Sequence, residues 1–238
     1  MKTRLFGSRT SPFVEKVARA MDLKAIDFEF VPLRSPMDFK KWNPVTGKMP
    51  VLELDGERFF DSTLILRTLD AVRPEPPLFS SDPETAARQR FLEDWSDESL
   101  YWYLMGLRWA DVNAKASTDQ IAGTLPALIR PVVRLILPRQ IGGQATAQGL
   151  RRLPLEVLLD EISRRFDELV WMLGDRPFFF SDRVSAADLA IFGQLRTMMS
   201  GPTPQGEELI RQRAGLIDFY ARVDDATKAS GTEKRRAA

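Results

Sequence analysis

The chain is 238 residues long, which allows one large domain or two small ones, each with its own core. Its 34 Lys and Arg balance 33 Asp and Glu to a formal net charge of +1, so we expect no net attraction for nucleic acid or anionic lipid. Cys and His are absent, which excludes disulfides, thiolate or imidazole metal sites, Ser-His-Asp triads and cysteine nucleophiles. Any chemistry must use hydroxyls, carboxylates, Lys, Arg, backbone dipoles or a bound cofactor.

The start of the chain does not have the pattern of a targeting segment. Lys2, Arg4 and Arg9 interrupt the apolar residues of positions 1–13, so no continuous apolar signal region is present. No run approaches the roughly 20 apolar residues that span a bilayer. We therefore expect a cytoplasmic protein, with which the absence of Cys agrees.

The first 30 residues alternate strand and helix patterns. Residues 2–7 read as a strand, and Ser11 followed by Pro12 is typical of a helix start. Between positions 26 and 30, apolar residues alternate with acidic ones, which predicts a second strand with one buried face.

A hairpin and a further helix follow. Residues 51–54 and 58–60 flank Asp55-Gly56, a pair that favours a tight primed turn between two strands. Ser62 is predicted to cap a helix that three prolines at positions 74–77 end.

From about residue 82 helical periodicity replaces the strand patterns. It predicts long helices over residues 83–113, 156–173, 185–199 and 207–223. Residues 118–154 contain four prolines and a Gly-Gly pair, which favours short helical pieces over one continuous helix. Residues 227–238 are small, polar and basic, and we expect them to be disordered.

Three short motifs are ambiguous when each is taken alone. The Gly47 to Val51 motif places Pro50 directly before a strand, where it either starts the strand or forms a cis turn. Asp61-Ser62 and Ser11 stand at helix starts, where such side chains commonly act only as N-caps. Singly, each motif is compatible with a purely structural role.

In combination, the motifs resemble those of the cytosolic glutathione transferase superfamily. The resemblance spans almost the whole chain and rests on Ser11-Pro12-Phe13, residues 43–52, Asp61-Ser62 and Ser185-Ala186-Ala187-Asp188. The last has the form of a capping box, with Val184 and Leu189 placed as its hydrophobic staple. Ser-Pro-Phe is similar to the motif of the plant tau class, and the long stretch 113–155 is similar to the metaxin and Fax branch.

The resemblance implies an α/β domain followed by an all-α domain. These would be a thioredoxin-like glutathione-binding domain over residues 1–78 and an all-helical substrate domain over residues 79–226, before the tail. It further implies a homodimer that uses glutathione as co-substrate, without a metal, in detoxification chemistry.

The resemblance also implies how glutathione is held. Pro50 would be a cis proline that turns the main chain of Met49 to pair with the cysteinyl part of glutathione. Asp61 would bind the γ-glutamyl ammonium, and Ser62 with the N–H groups of the helix start would bind the γ-glutamyl carboxylate. Phe13 belongs to the same binding surface.

Lys48 is the candidate for the glycyl carboxylate. Arg34, Lys40 and Lys41 are weaker candidates, and all four side chains are also compatible with a role as solvated surface charges.

Ser11 would be the catalytic hydroxyl. It would donate a hydrogen bond to the glutathione sulfur rather than attack, since no His is present to take its proton. Lowering a thiol pKa of about 8.5 by two units requires roughly 2.7 kcal/mol. A charge-assisted hydrogen bond of about 1.5–3 kcal/mol and a helix N-terminus of about 0.3–1 kcal/mol can supply this. Thr10 or Ser8 could donate to the sulfur instead of Ser11. In the structural alternative, Ser11 is only the N-cap of its helix.

The second substrate would lie between the domains, beside Tyr101, Trp102, Met105 and Arg108 on the predicted helix 83–113. Tyr103 and Trp109 belong to the same aromatic group, but side chains that point in several directions around one helix cannot all line a pocket. The absence of Cys argues against mixed-disulfide thiol transfer. The function we predict is conjugation of the glutathione thiolate to a small hydrophobic electrophile; the alternative is a non-catalytic adaptor or interaction protein of the same fold.

Residues 125–139 combine seven apolar side chains between positions 128 and 137 with three arginines. The segment is either a buried helical hairpin with solvated arginines or a contact surface for a partner protein, a second subunit or a membrane.

Overall fold

The computed structural model describes residues 2–228. A four-stranded sheet has the order β2-β1-β3-β4, with β1 (Thr3–Gly7), β2 (Glu29–Pro32), β3 (Val51–Leu54) and β4 (Glu57–Phe60). β1 and β2 are parallel, whereas β3 is antiparallel to both β1 and β4. The helix α1 (Pro12–Leu23) provides the crossover that a parallel pair requires.

Both faces of the sheet are covered. Successive residues of a strand point to opposite faces, so Leu5 joins one apolar core and Phe6 another. The Leu5 core includes α1 and α3 (Ser62–Val72), and the Phe6 core includes Trp42 at the end of the short helix α2 (Asp38–Trp42).

The rest of the described chain is helical. It contains α4 (Pro83–Trp95), α5 (Tyr101–Arg108), α6 (Asp111–Gly123), α7 (Arg130–Gln148), α8 (Leu155–Leu173), α9 (Ala186–Met199), α10 (Pro204–Arg211) and α11 (Ala214–Ala226). Between residues 2 and 228 no helix is long and apolar enough to cross a membrane.

The predicted hairpin is confirmed, and the strand before it is shifted. Asp55 and Gly56 both have positive φ, 48° and 95°, as the primed turn requires. The strand expected at residues 26–30 begins only at Glu29, although Ile26 and Phe28 are buried as the alternation predicts.

Two predicted long helices are each interrupted. The helix expected over residues 83–113 passes through a π-helical turn, Ser96–Leu100, and ends at Arg108. There Arg151 Nε donates to the freed Trp109 carbonyl at 2.7 Å. The helix expected over residues 207–223 is two helices, because Arg213 is extended and its guanidinium is bound by Asp167 at 2.8 Å on α8.

The prediction of short pieces across residues 118–154 is wrong for α7, which runs for 19 residues through Pro138. Residues 125–139 also do not form the buried helical hairpin that was one of the two predictions, because other parts of the protein cover only one side of α7. Val133 packs in the Phe6 core, whereas Leu128 before the helix is 94% exposed and Leu135 is 63% exposed.

The capping box at the start of α9 is confirmed. The Asp188 carboxylate accepts from the Ser185 N–H at 2.8 Å, the Ser185 hydroxyl at 2.6 Å and the Phe179 N–H at 2.8 Å. Val184 and Leu189 are buried beside it. Burial raises the pKa of Asp188 to about 7 against the effect of these hydrogen bonds.

The tail that we expect to be disordered is residues 227–238. Of these, residues 229–238 lie outside the described residues. Thr227, at its start, is buried and accepts a hydrogen bond from Arg19 Nη1 at 3.0 Å.

Candidate active site

The strand register brings three of the motifs to one edge of the sheet. Val51 pairs with Phe6 on one side and with Phe60 on the other. The residues that leave the sheet at this edge are therefore Gly7, Pro50 and Asp61. The start of α1, the proline turn and the start of α3 consequently face the same end of the sheet.

Ser11 is the N-cap of α1. Its backbone is extended, and its Oγ accepts from the Val14 N–H at 3.5 Å. Within residues 2–228 the Ser11 hydroxyl hydrogen has no acceptor. Ser8 Oγ and Thr10 Oγ1 instead lie 2.9 Å apart and bond to each other. That bond uses the hydrogen of one of the two hydroxyls, so one member of the Ser8–Thr10 pair and Ser11 each keep an unused donor.

The peptide bond between Met49 and Pro50 is cis, as the resemblance implies. The main-chain N–H and C=O of Met49 form no hydrogen bond with any described residue, so both are free to pair with an extended ligand.

Asn43 holds the loop that leads to this turn. Its side-chain N–H donates to the Lys48 carbonyl at 2.9 Å and to Thr46 Oγ1 at 2.7 Å, and its Oδ1 accepts from the Thr46 N–H at 3.0 Å. Asn43 is buried. The Asn-Pro pair signals a turn at this point, but no sequence pattern indicates that Asn43 holds the loop.

Asp61, not Ser62, caps α3. It has a positive φ of 70°, and its Oδ1 accepts from the Thr63 N–H at 3.0 Å and the Leu64 N–H at 3.2 Å. This corrects the predicted Ser62 cap. Ser62 is the first residue of the helix, is buried, and donates from Oγ to Asp97 Oδ2 at 3.5 Å.

A buried charge cluster lies beneath the start of α3. Lys16 Nζ contacts Glu93 Oε1 at 2.7 Å and Asp97 Oδ2 at 2.5 Å, and the Thr63 hydroxyl donates to Glu93 at 2.6 Å. Burial raises the pKa of Asp97 to about 6, despite the attraction of Lys16. The cluster ties α1, α3 and α4 together, and no sequence pattern indicated it.

A shallow, partly open cleft begins at Pro12, the residue after Ser11. Its walls come from α1, α5 and α9 and include Pro12, Leu104 and Met198, together with the predicted residues Tyr101, Met105 and Arg108. The Tyr101 ring contacts the half-buried Phe13, with 4.8 Å between ring centroids.

The other aromatic residues of the predicted group lie elsewhere. Trp102 is outside the cleft wall and packs edge-on against Tyr101. Tyr103 stacks beneath the Arg165 guanidinium, and Trp109 is a core residue with 1% exposure.

The candidates for the glycyl carboxylate are exposed. Lys48, Arg34, Lys40 and Lys41 form no ion pair within residues 2–228. In the same part of the chain no group of three or more carboxylates is placed to hold a metal ion.

Comparison with known proteins shows which proteins this chain resembles. Residues 5–77 match the family model of the glutathione S-transferase N-terminal domain. The chain is 33% identical over 123 residues to the uncharacterised GST-like protein YibF of Escherichia coli K12, a match that covers 50% of this chain and 60% of that protein. Over 219 residues it is 25% identical to the isoprene-epoxide glutathione S-transferase of Rhodococcus sp. strain AD45, covering 90% and 91%. The match to YibF thus covers less than two thirds of the length of that protein.

A solved structure shows the same architecture over nearly the whole chain. The glutathione S-transferase of Methylobacillus flagellatus KT, with glutathione bound, superposes with a TM-score of 0.63 at 23% identity, over 94% of this chain and 98% of that one. The predicted fold, a thioredoxin-like region followed by helices, is therefore confirmed.

Proposed function

We propose that this chain, whose residues 5–77 match the glutathione S-transferase N-terminal domain, binds glutathione and conjugates its thiolate to a small hydrophobic electrophile. The observation that supports the proposal is that the segments carrying Ser11, Met49 and Asp61 all adjoin the same end of the sheet, where Phe6, Val51 and Phe60 pair. Two main-chain groups and two side chains of these kinds match the thiol, peptide and ammonium groups of glutathione.

Each of these groups has a separate task. The Met49 N–H and C=O pair with the cysteinyl residue as a strand would. Asp61 already spends Oδ1 on the N–H groups of α3, which leaves Oδ2 for the γ-glutamyl ammonium. The Ser62 N–H binds the adjacent carboxylate, to which the Ser62 hydroxyl can donate only by leaving Asp97, and Lys48 reaches the glycyl carboxylate.

Ser11 supports the chemical step by holding a charge. Its O–H donates to the sulfur, and the N-terminal end of α1 favours the anion, so the thiol releases its proton to solvent at neutral pH. The sulfur then forms a bond to the electrophilic carbon. With an aryl chloride, the carbon–chlorine bond breaks and chloride leaves with its electron pair.

Calorimetry and turnover test this proposal together. We expect glutathione to bind with a dissociation constant in the micromolar to millimolar range and chlorodinitrobenzene to be turned over. Ser11→Ala should lower turnover by at least about tenfold, and Ser8→Ala should leave it unchanged. No binding at millimolar glutathione would exclude the proposal, and unchanged turnover in Ser11→Ala would move the role to Thr10 or Ser8.

A second candidate is a non-catalytic interaction protein. The exposed apolar side chains beside α7, of which Leu128 is the most exposed, favour it. It predicts no glutathione turnover, and a bound partner that is lost when residues 125–139 are replaced by a polar helix. Homodimerisation, which the resemblance implies, stays a prediction that sedimentation velocity tests.

A further inference from the structure

Arg108 is a buried cation in the wall of the cleft. Arg108 is the last residue of α5, is 8% exposed and lines the same cleft as Pro12. Its Nη1 donates to the Thr10 carbonyl at 3.3 Å. The guanidinium is therefore anchored to the residue directly before Ser11, on the side of the cleft where the sulfur would lie.

No carboxylate neutralises this charge within residues 2–228. The acceptors of Arg108 are neutral: the Thr10 carbonyl and Gln120 Oε1, which accepts from Nη2 at 2.6 Å. Its Nε is buried and has no hydrogen-bond partner. A five-donor guanidinium is thus held by two uncharged groups.

The other buried cations of the described chain differ in this respect. Lys16 contacts Glu93 and Asp97, Arg19 contacts Glu15 and Asp224, and Lys24 contacts Asp70 at 2.6 Å. Since an uncompensated buried charge is costly, a cation kept without a counter-ion at a cleft indicates that an anion arrives from outside.

The chemistry of the wall narrows the kind of anion. The planar fork of a guanidinium matches a carboxylate with two parallel hydrogen bonds. Tyr101 lines the same cleft, and its hydroxyl has no partner among residues 2–228. Burial raises the pKa of Tyr101, so the phenol stays a neutral donor, whereas burial lowers the pKa of Arg108, which a bound carboxylate would raise again.

We propose that the electrophilic substrate of this protein is a carboxylate, whose anionic group is bound by Arg108 while its apolar body lies against Pro12, Leu104 and Met105. This rests on the proposed function, because the sulfur site at Ser11 supplies the nucleophile. Arg108 is then the residue that determines specificity, and it sets the distance between the carboxylate and the reacting carbon.

A matched pair of aryl chlorides tests the proposal. Chloronitrobenzoate and chloronitrobenzamide, with the same substitution pattern, share the reacting carbon and the leaving chloride but differ in charge. We expect kcat/KM, divided by the uncatalysed rate with glutathione, to favour the benzoate by at least about tenfold. Arg108→Met should abolish this preference, because the KM of the benzoate should rise more than that of the benzamide.

Two further variants control for charge and folding. Arg134→Met removes an exposed arginine of α7 and should keep the preference. Arg108→Lys keeps the charge without the fork and should retain part of it, which covers the case in which Arg108→Met does not fold. The proposal would be overturned if the native protein showed the same corrected kcat/KM for the benzoate and the benzamide. It would also be overturned if Arg108→Met lowered kcat/KM equally for both.

Binding of nitrobenzoate, measured by calorimetry without glutathione, separates this proposal from the proposed function. If neither aryl chloride nor chlorodinitrobenzene is turned over, the proposed function fails. Nitrobenzoate binding that is lost in Arg108→Met, with nitrobenzamide bound weakly by both proteins, would still support the carboxylate site. Absence of any preference for nitrobenzoate over nitrobenzamide would contradict it.

Discussion

Gly193 of α9 lies against the carbonyl group of Pro12 in the first turn of α1. A Cβ added at Gly193 would stand 2.6 Å from the Pro12 oxygen, closer than real Cβ atoms approach backbone. The absence of a side chain at position 193 therefore lets α9 pack against the start of α1, one residue from Ser11.

Gly193→Ala should consequently disturb the site as well as the fold. We expect a loss of about 1–3 kcal/mol in the free energy of unfolding, as for other overpacked positions, and reduced turnover at temperatures where the variant stays folded. Urea unfolding measures the first effect. Gly143→Ala is the matched control, because nothing lies within 4 Å of its added Cβ on α7 and Ala favours a helix. Equal stability of the two variants would contradict the close contact.

Asp61→Asn separates the charge of Asp61 from its capping role. Asn caps helices as well as Asp does and tolerates positive φ, so the stability of the protein should hardly change. Glutathione affinity should fall by roughly fivefold, because the ammonium loses its anionic partner. Asp82→Asn, at the N-cap of α4, is the control and should leave affinity unchanged. Calorimetric titration checks both, and equal affinities would remove Asp61 from the binding site.

Lys16→Met should destabilise the protein strongly. It leaves Glu93 and Asp97 buried without their cation, and breaking a buried ion pair in this way costs about 3–5 kcal/mol. Lys115→Met breaks an ion pair whose lysine is 93% exposed and should have no measurable effect. Chemical unfolding of both variants measures their free energies of unfolding. Adding Glu93→Gln and Asp97→Asn to Lys16→Met should recover part of the loss, and failure to do so would mean that Lys16 acts mainly by packing.

The pH dependence of the free energy of unfolding should reveal the raised pKa of Asp188. Its pKa is raised to about 7 in the folded protein, above the value of about 3.9 expected when unfolded. The folded state therefore binds the proton more tightly between these values, and stability at this site falls as the pH rises through that window. From pH 5 to 7 the native protein should lose about 2 kcal/mol relative to Asp188→Asn. Urea unfolding of both proteins across this range measures it, and a constant difference would contradict the raised pKa.

Local signals made much of the fold predictable. The Asp55-Gly56 turn, the proline before β3 and the capping box at Ser185 each act within a few residues, so the sequence alone indicates them. The break after Arg108 depends on Arg151, more than 40 residues away, which binds the Trp109 carbonyl. Contacts of this kind leave no periodic pattern in the sequence.

The candidate site divides in the same way. Ser11, Met49 and Asp61 stand beside turn and helix-start signals, and the resemblance to a known family linked them. The cluster around Lys16 joins residues 77 and 81 positions apart, which no spacing rule connects. Whether Arg108 faced solvent or the cleft likewise depended on how α5 packs against α1 and α9.

The pKa of enzyme-bound glutathione tests the central claim most directly. Titration of the thiolate absorbance in the ultraviolet should give a pKa of about 6.5 for the native complex, against about 8.5 for a free thiol. In Ser11→Ala the pKa should rise by at least about one unit, and in Ser8→Ala it should not move. A bound thiol that titrates like free glutathione, or identically in Ser11→Ala, would contradict the assignment of Ser11.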